Sequence, residues 1–175
     1  MKEVLGKYSR LWLVSLLGVI TVILLMVVNK DLRVCNILEI EFSDSTESFL
    51  NLVKGQESNV RHNTLVDFVF ILAYTILFWM SLKVVILSLQ TDLKRTYYLL
   101  CLLPGIFDVV ENLSMLNVLE NQDSFSFKML FLSVRLKWGI VIPFMLMTLT
   151  ILLFYILVFF GIGFNIFYSK RQQIK

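Results

Sequence analysis

Charge is scarce in this chain: Asp, Glu, Lys and Arg make up 17% of its 175 residues, against ~25% in soluble domains. Proline occurs twice, cysteine twice, histidine once and glycine seven times. Few prolines and glycines argue against a loop-rich fold. Two cysteines exclude a disulfide-stapled module, and so little charge excludes a disordered chain. A basic, aromatic-interleaved patch of the kind that binds nucleic acid is also missing, despite a net charge of +3. Motifs of the forms HExxH, GxSxG, GxxxxGK[ST] and CxxC are absent, as are GxxxG and internal repeats. No metal and no cofactor is therefore expected. What is abundant is apolar surface: 58% of the residues are hydrophobic and the mean hydropathy is +0.79. These figures exclude a soluble enzyme and point to a single integral membrane domain with the lipid bilayer as its surroundings.

Four apolar runs are long enough to cross a membrane, which takes roughly 20 residues. They lie near residues 11–29, 64–90, 97–119 and 138–163, and the fourth run stays uncharged from Trp138 to Ser169. At 1.5 Å per residue that stretch exceeds a ~30 Å hydrocarbon core, so it should tilt, break or protrude, with Pro143, Gly161 and Gly163 as the places to do so. The runs are apolar on every face, unlike the alternating strands of a membrane barrel. The first run has a basic flank but no small-residue cleavage site and reads as an uncleaved signal anchor. The expected fold is an all-α, four-helix transmembrane bundle.

Basic residues set the expected orientation. Lys2, Lys7, Arg10, Lys94, Arg95, Lys170, Arg171 and Lys175 would lie on one side, against Lys30, Arg33, Lys54, Arg61 and Lys128 on the other. The excess places both termini in the cytoplasm, with Lys83 snorkelling toward that side. Residues 30–63 then form an extracytoplasmic loop. Within it Leu38, Ile40 and Phe42 alternate with Glu39 and Glu41, a strand pattern of period two. Asp44 and Glu47 have the spacing of a capping box for a short helix carrying Phe49, Leu50 and Val53 and ending at Gly55. This strand-plus-helix segment reads either as a lid over the bundle or as a connector lying on the headgroups. A strand with an open edge would allow self-association or pairing with a protein partner. Cys35 and Cys101 fall at opposite ends of the bundle, too far apart to bridge. His62 reads as a surface residue.

Ionisable residues inside spans are costly and mark sites by default. Asp108, Glu111 and Asn112 stand at i, i+3 and i+4 and share one helical face. Two carboxyls so close should share a proton, and such a pair can hold a proton, bind a cation or act as acid and base. Pro104 and Gly105 precede them by one turn, where a kink would free a backbone carbonyl. Tyr74, seven residues after Asp67 on the same face, falls level with Asp108 and can donate to it. Lys137 neutralises the acids if residues 125–137 already belong to the fourth helix; if they form an interfacial helix, it is a membrane-edge anchor. The candidate intramembrane polar site is thus Asp108, Glu111, Asn112, Tyr74, Asp67 and Lys137. Three functions fit it: a proton- or cation-binding site for transport or for a small polar or lipid-headgroup ligand, a lipid-modifying enzyme using the same acids, or a polar clamp in a non-catalytic scaffold.

The order of features resembles a family of small four-span bacterial membrane proteins. The resemblance rests on Ile40-Glu41-Phe42 before a short helix, Asp67-Phe68 through Tyr74, Asp108-Val109-Val110-Glu111-Asn112 in the third span, and Lys137-Trp138. It covers nearly the whole chain, and the DxxEN turn is its most specific element. It implies the four-span topology and a bacterial inner membrane, and it brings no reaction with it.

Overall fold

A computed structural model describes residues 2–89 and 96–159. Lys94, Arg95, Lys170, Arg171, Lys175, Gly161 and Gly163 lie outside the described residues. Four helices are long and apolar enough to cross a membrane, spanning Gly6–Val28, Glu57–Leu89, Tyr97–Asn121 and Ser124–Val158. In chain order the elements are α1 (Lys2–Val28), α2 (Ile37–Glu41), α3 (Thr46–Val53), α4 (Glu57–Leu89), α5 (Thr96–Leu100), α6 (Leu103–Asn121) and α7 (Ser124–Phe159).

The segment expected to hold a strand is helical, and among the described residues there is no strand. The five residues Ile37–Glu41 form one helical turn. Their alternation is too short to separate period two from a helical i, i+3, i+4 set. Here the set is Ile37, Ile40 and Glu41, with Ile40 fully buried while Leu38 and Phe42 remain exposed. Burial of Ile40 under the bundle's end wins over local alternation, and the open edge through which a strand would pair disappears with it. The helix cap also differs from expectation: Ser45, not Asp44, caps α3, its hydroxyl accepting from the Ser48 amide. The helix ends at Val53, and Gly55 follows at φ +84°, a left-handed conformation suited to glycine.

Elements α2 and α3 dock as a lid rather than lying free. Ile40, Phe49 and Val53 bury against Val60 of α4, Met115 and Val118 of α6, and Phe127, Leu130 and Val134 of α7. Residues 125–137 are therefore the first turns of α7, held by that apolar contact, and not a separate interfacial helix. At 36 residues α7 is ~54 Å long, and it runs through Pro143. A second apolar cluster lies toward the other end and joins Trp12 and Val19 of α1, Ile71, Leu77, Phe78 and Val84 of α4, and Ile151 of α7. A buried polar contact pins that end: Trp12 Nε1 donates to Ser81 Oγ at 2.8 Å, which lies 3.1 Å from Thr148 Oγ1.

The third span is broken rather than kinked. Cys101 and Leu102 form a turn with amide bonds back to Tyr98 and Leu99, and Pro104 sits in the first turn of α6, where its missing N–H costs nothing. Lys83 Nζ lies 4.3 Å from the centre of the Tyr98 ring on α5, so an aromatic partner occupies the side chain expected to snorkel. Cys35 is exposed and Cys101 buried, both free.

Candidate functional site

Along α4, α6 and α7 alike, one polar band separates the lid-side apolar cluster from the far one. Its position is set locally. On α7, Leu130, Val134 and Lys137 follow the i, i+4, i+7 stripe that faces α6, so Lys137 is buried by the same periodicity that buries its apolar neighbours. On α6, Gly105 lets the backbone approach α4 closely. A Cβ there would lie 2.9 Å from Thr75 Oγ1 and 3.3 Å from Ile71 Cγ2. One turn later Asp108, Glu111 and Asn112 face inward, 6%, 2% and 4% exposed.

Lys137 is the centre of the cluster. Its ammonium lies 2.6 Å from Glu111 Oε2, 2.8 Å from Asp108 Oδ1 and 3.5 Å from Glu41 Oε2. The approach to Glu111 is ionic rather than a well-aligned hydrogen bond. The other oxygen of Asp108 accepts a short hydrogen bond from the Tyr74 hydroxyl. Glu41 also accepts from Trp138 Nε1 at 3.3 Å, and the Phe42 ring lies 6.2 Å from that of Trp138. The lid is thereby tied to α7 by charge and by an aromatic contact. At the rim, Arg135 meets Asp44 at 3.7 Å, and farther along Arg61 pairs with Glu120 at 2.5 Å.

The sequence-derived residues thus fall into two groups. Asp108, Glu111, Tyr74 and Lys137 converge. Asn112 does not orient the Asp108–Glu111 pair; its Nδ2 donates instead to Asp67 Oδ2 at 2.8 Å. The residue missed by sequence reasoning is Glu41, read as the polar face of a strand. Its signal was available in the i, i+3, i+4 set with Ile37 and Ile40, but choosing it required knowing that the segment is helical. His62 is exposed.

Three carboxyl groups surround one ammonium, a fourth, Asp67, is held by the neutral Asn112 amide, and Arg135 and Arg61 pair with other acids. Desolvated charge in such excess is costly unless cations or protons offset it. Among the described residues, no set of three His, Cys, Asp or Glu side chains is disposed to hold a metal ion. Lys137 already fills the position between Asp108 and Glu111. Outside the spans, the Asp123 carboxyl caps α7. The Ser126 amide and hydroxyl and the Phe125 amide donate to it and hold it below the usual aspartate range. Comparisons with family models, curated proteins and solved structures find no match to this chain.

Proposed function

We propose that this four-span chain is a membrane protein built around a proton-binding site beneath an extracytoplasmic lid. Proton binding there would serve transport or the capture of a small polar or lipid-headgroup ligand. The observation that carries this reading is the imbalance of the cluster: Glu41, Asp108 and Glu111 share the single ammonium of Lys137, and Asp67 adds a fourth carboxyl bound to the neutral amide of Asn112. A proton offsets the excess without needing the ligand set that a metal requires. The resemblance to small bacterial four-span proteins fits this reading, with both termini cytoplasmic and the lid outside the inner membrane.

The test is infrared difference spectroscopy on purified protein in lipid nanodiscs, titrated from mildly alkaline to mildly acid pH. The expected result is a carboxylic-acid carbonyl band that appears on acidification and is absent when the four acids are replaced by their amides. A wild-type protein with no such band refutes the reading. A second reading, a non-catalytic scaffold, is favoured by the way Lys137 ties the lid, α6 and α7 together; in that case the cluster contributes stability alone.

A further inference from the structure

The cluster's four carboxyls differ in what their partners can do. Lys137 and Trp138 are donors without acceptor capacity. Glu41 accepts from Trp138 and lies 3.5 Å from the ammonium, and Glu111 faces the ammonium at 2.6 Å, so these partners of the two acids can donate but not accept. Asp108 has the ammonium on one oxygen and the Tyr74 hydroxyl on the other, so both of its oxygens already face donors. Asp67 is different. Among the described residues it forms no ion pair, and its hydrogen-bond partner is the neutral amide of Asn112. The charged groups that act on it are Asp108 from α6, Lys137 from α7 and Glu41 from the lid, two acids against one base.

Asn112 is the one partner in the cluster that is a primary amide, offering both a donor and an acceptor group. With Nδ2 turned toward Asp67 it donates to the carboxylate. After a half-turn about its last torsion, Oδ1 accepts from the carboxylic acid. The amide's two faces are interchangeable in shape, so the swap needs no repacking. Asn112 itself is 4% exposed and follows Glu111 directly on α6, whereas Asp67 is only half-buried on α4. The carboxyl therefore has an open side through which a proton can come and go, while the amide stays in the core.

Resting on the proton-binding reading above, we propose that Asp67 carries the exchangeable proton and that Asn112 is the positioning residue whose amide reverses as that proton comes and goes. On binding, a proton from water forms the O–H bond of the Asp67 carboxyl and the amide oxygen accepts it. On release, the proton returns to water and the amide N–H donates to the carboxylate. Asp108, Glu111 and Lys137 keep their ion pairs throughout.

The experiment is the infrared titration of nanodisc-embedded protein extended to Asp67→Asn, Asn112→Leu, Asp108→Asn and Glu111→Gln. The expected result is a carboxylic-acid band lost in Asp67→Asn, retained in Asp108→Asn and Glu111→Gln, and moved to higher frequency in Asn112→Leu, where the acceptor is gone. Asp67→Asn imitates the neutral acid and should fold like the wild type. Should it not insert, the frequency shift in Asn112→Leu decides. A band that survives Asp67→Asn and vanishes in Glu111→Gln or Asp108→Asn overturns the assignment to Asp67 while leaving the proton reading intact. An unshifted band in Asn112→Leu overturns the role of the amide. A wild-type protein without the band overturns the proton reading and this assignment together.

Discussion

Replacing Lys137 by methionine tests what the central ammonium does. Methionine keeps an unbranched chain of similar length and removes only the charge and its donors. The side chains of Lys137, Asp108 and Glu111 are 8%, 8% and 3% exposed, so neither acid has bulk water to fall back on. If the three contacts of Lys137 acted as ordinary interhelical hydrogen bonds, at ~0.6 kcal/mol each, the loss would be ~2 kcal/mol. Removing one partner of a buried ion pair instead leaves an uncompensated charge, and that costs ~3–5 kcal/mol. The larger figure should prevail, corresponding to a fall in Tm of roughly 6–20 °C for a chain of this size. Thermal unfolding and denaturant titration in a fixed micelle, followed by tryptophan fluorescence, measure it. The triple variant Lys137→Met, Asp108→Asn, Glu111→Gln removes the ammonium and its two closest carboxylates together and should recover most of the loss, because neither Asp108 nor Glu111 is left as an unpaired buried ion. A Lys137→Met protein within ~0.5 kcal/mol of wild type, or a triple variant weaker than the single, would refute the claim that charge pairing joins α6 to α7.

Two further outcomes test the scaffold of the site. Gly105→Ala forces a Cβ to 2.9 Å from Thr75 Oγ1 and should destabilise the protein by ~1–3 kcal/mol. Adding Thr75→Ala removes that hydroxyl, which is buried without a hydrogen-bond partner, and should restore most of the stability in the same unfolding assay. At the lid end, the Asp123 carboxylate is held below its ordinary value of 3.8 by the amides and hydroxyl it caps. A lowered folded-state pKa means that its contribution is present above 3.8 and fades as the pH falls through the folded value. Asp123→Ala should therefore unfold more readily than wild type at neutral pH, with the gap closing in strong acid; a gap independent of pH would count against the cap.

The lid shows why short segments resist reading. Leu38, Ile40 and Phe42 alternate with two glutamates as a strand would, yet five residues cannot tell one periodicity from the other. What settles them is the apolar hollow formed by Val60, Met115, Val118 and Leu130, residues drawn from three later spans. Glu41 was hidden by the same ambiguity, because its partners Lys137 and Trp138 lie more than ninety positions away. The Asp108 turn was legible because helical spacing is local: three polar residues at i, i+3 and i+4 share a face in any helix. Tyr74 was legible by depth, since rise per residue turns sequence position into height along a helix. Asn112 shares the face of Asp108 and Glu111 by the same spacing, yet its amide turns to Asp67 on α4, because the side a carboxamide turns to depends on the neighbouring helix.

The sequence by itself determined the class of protein, the four spans and the polar face of the third, because run length and helical period are properties of contiguous residues. The tertiary structure alone decided that residues 125–137 open α7, that α2 is a helical lid, and that Lys137 stands between Asp108 and Glu111 with Glu41 at its edge. Those outcomes depend on which helices touch and how closely they approach, and the approach of α6 to α4 turns on the missing side chain of Gly105.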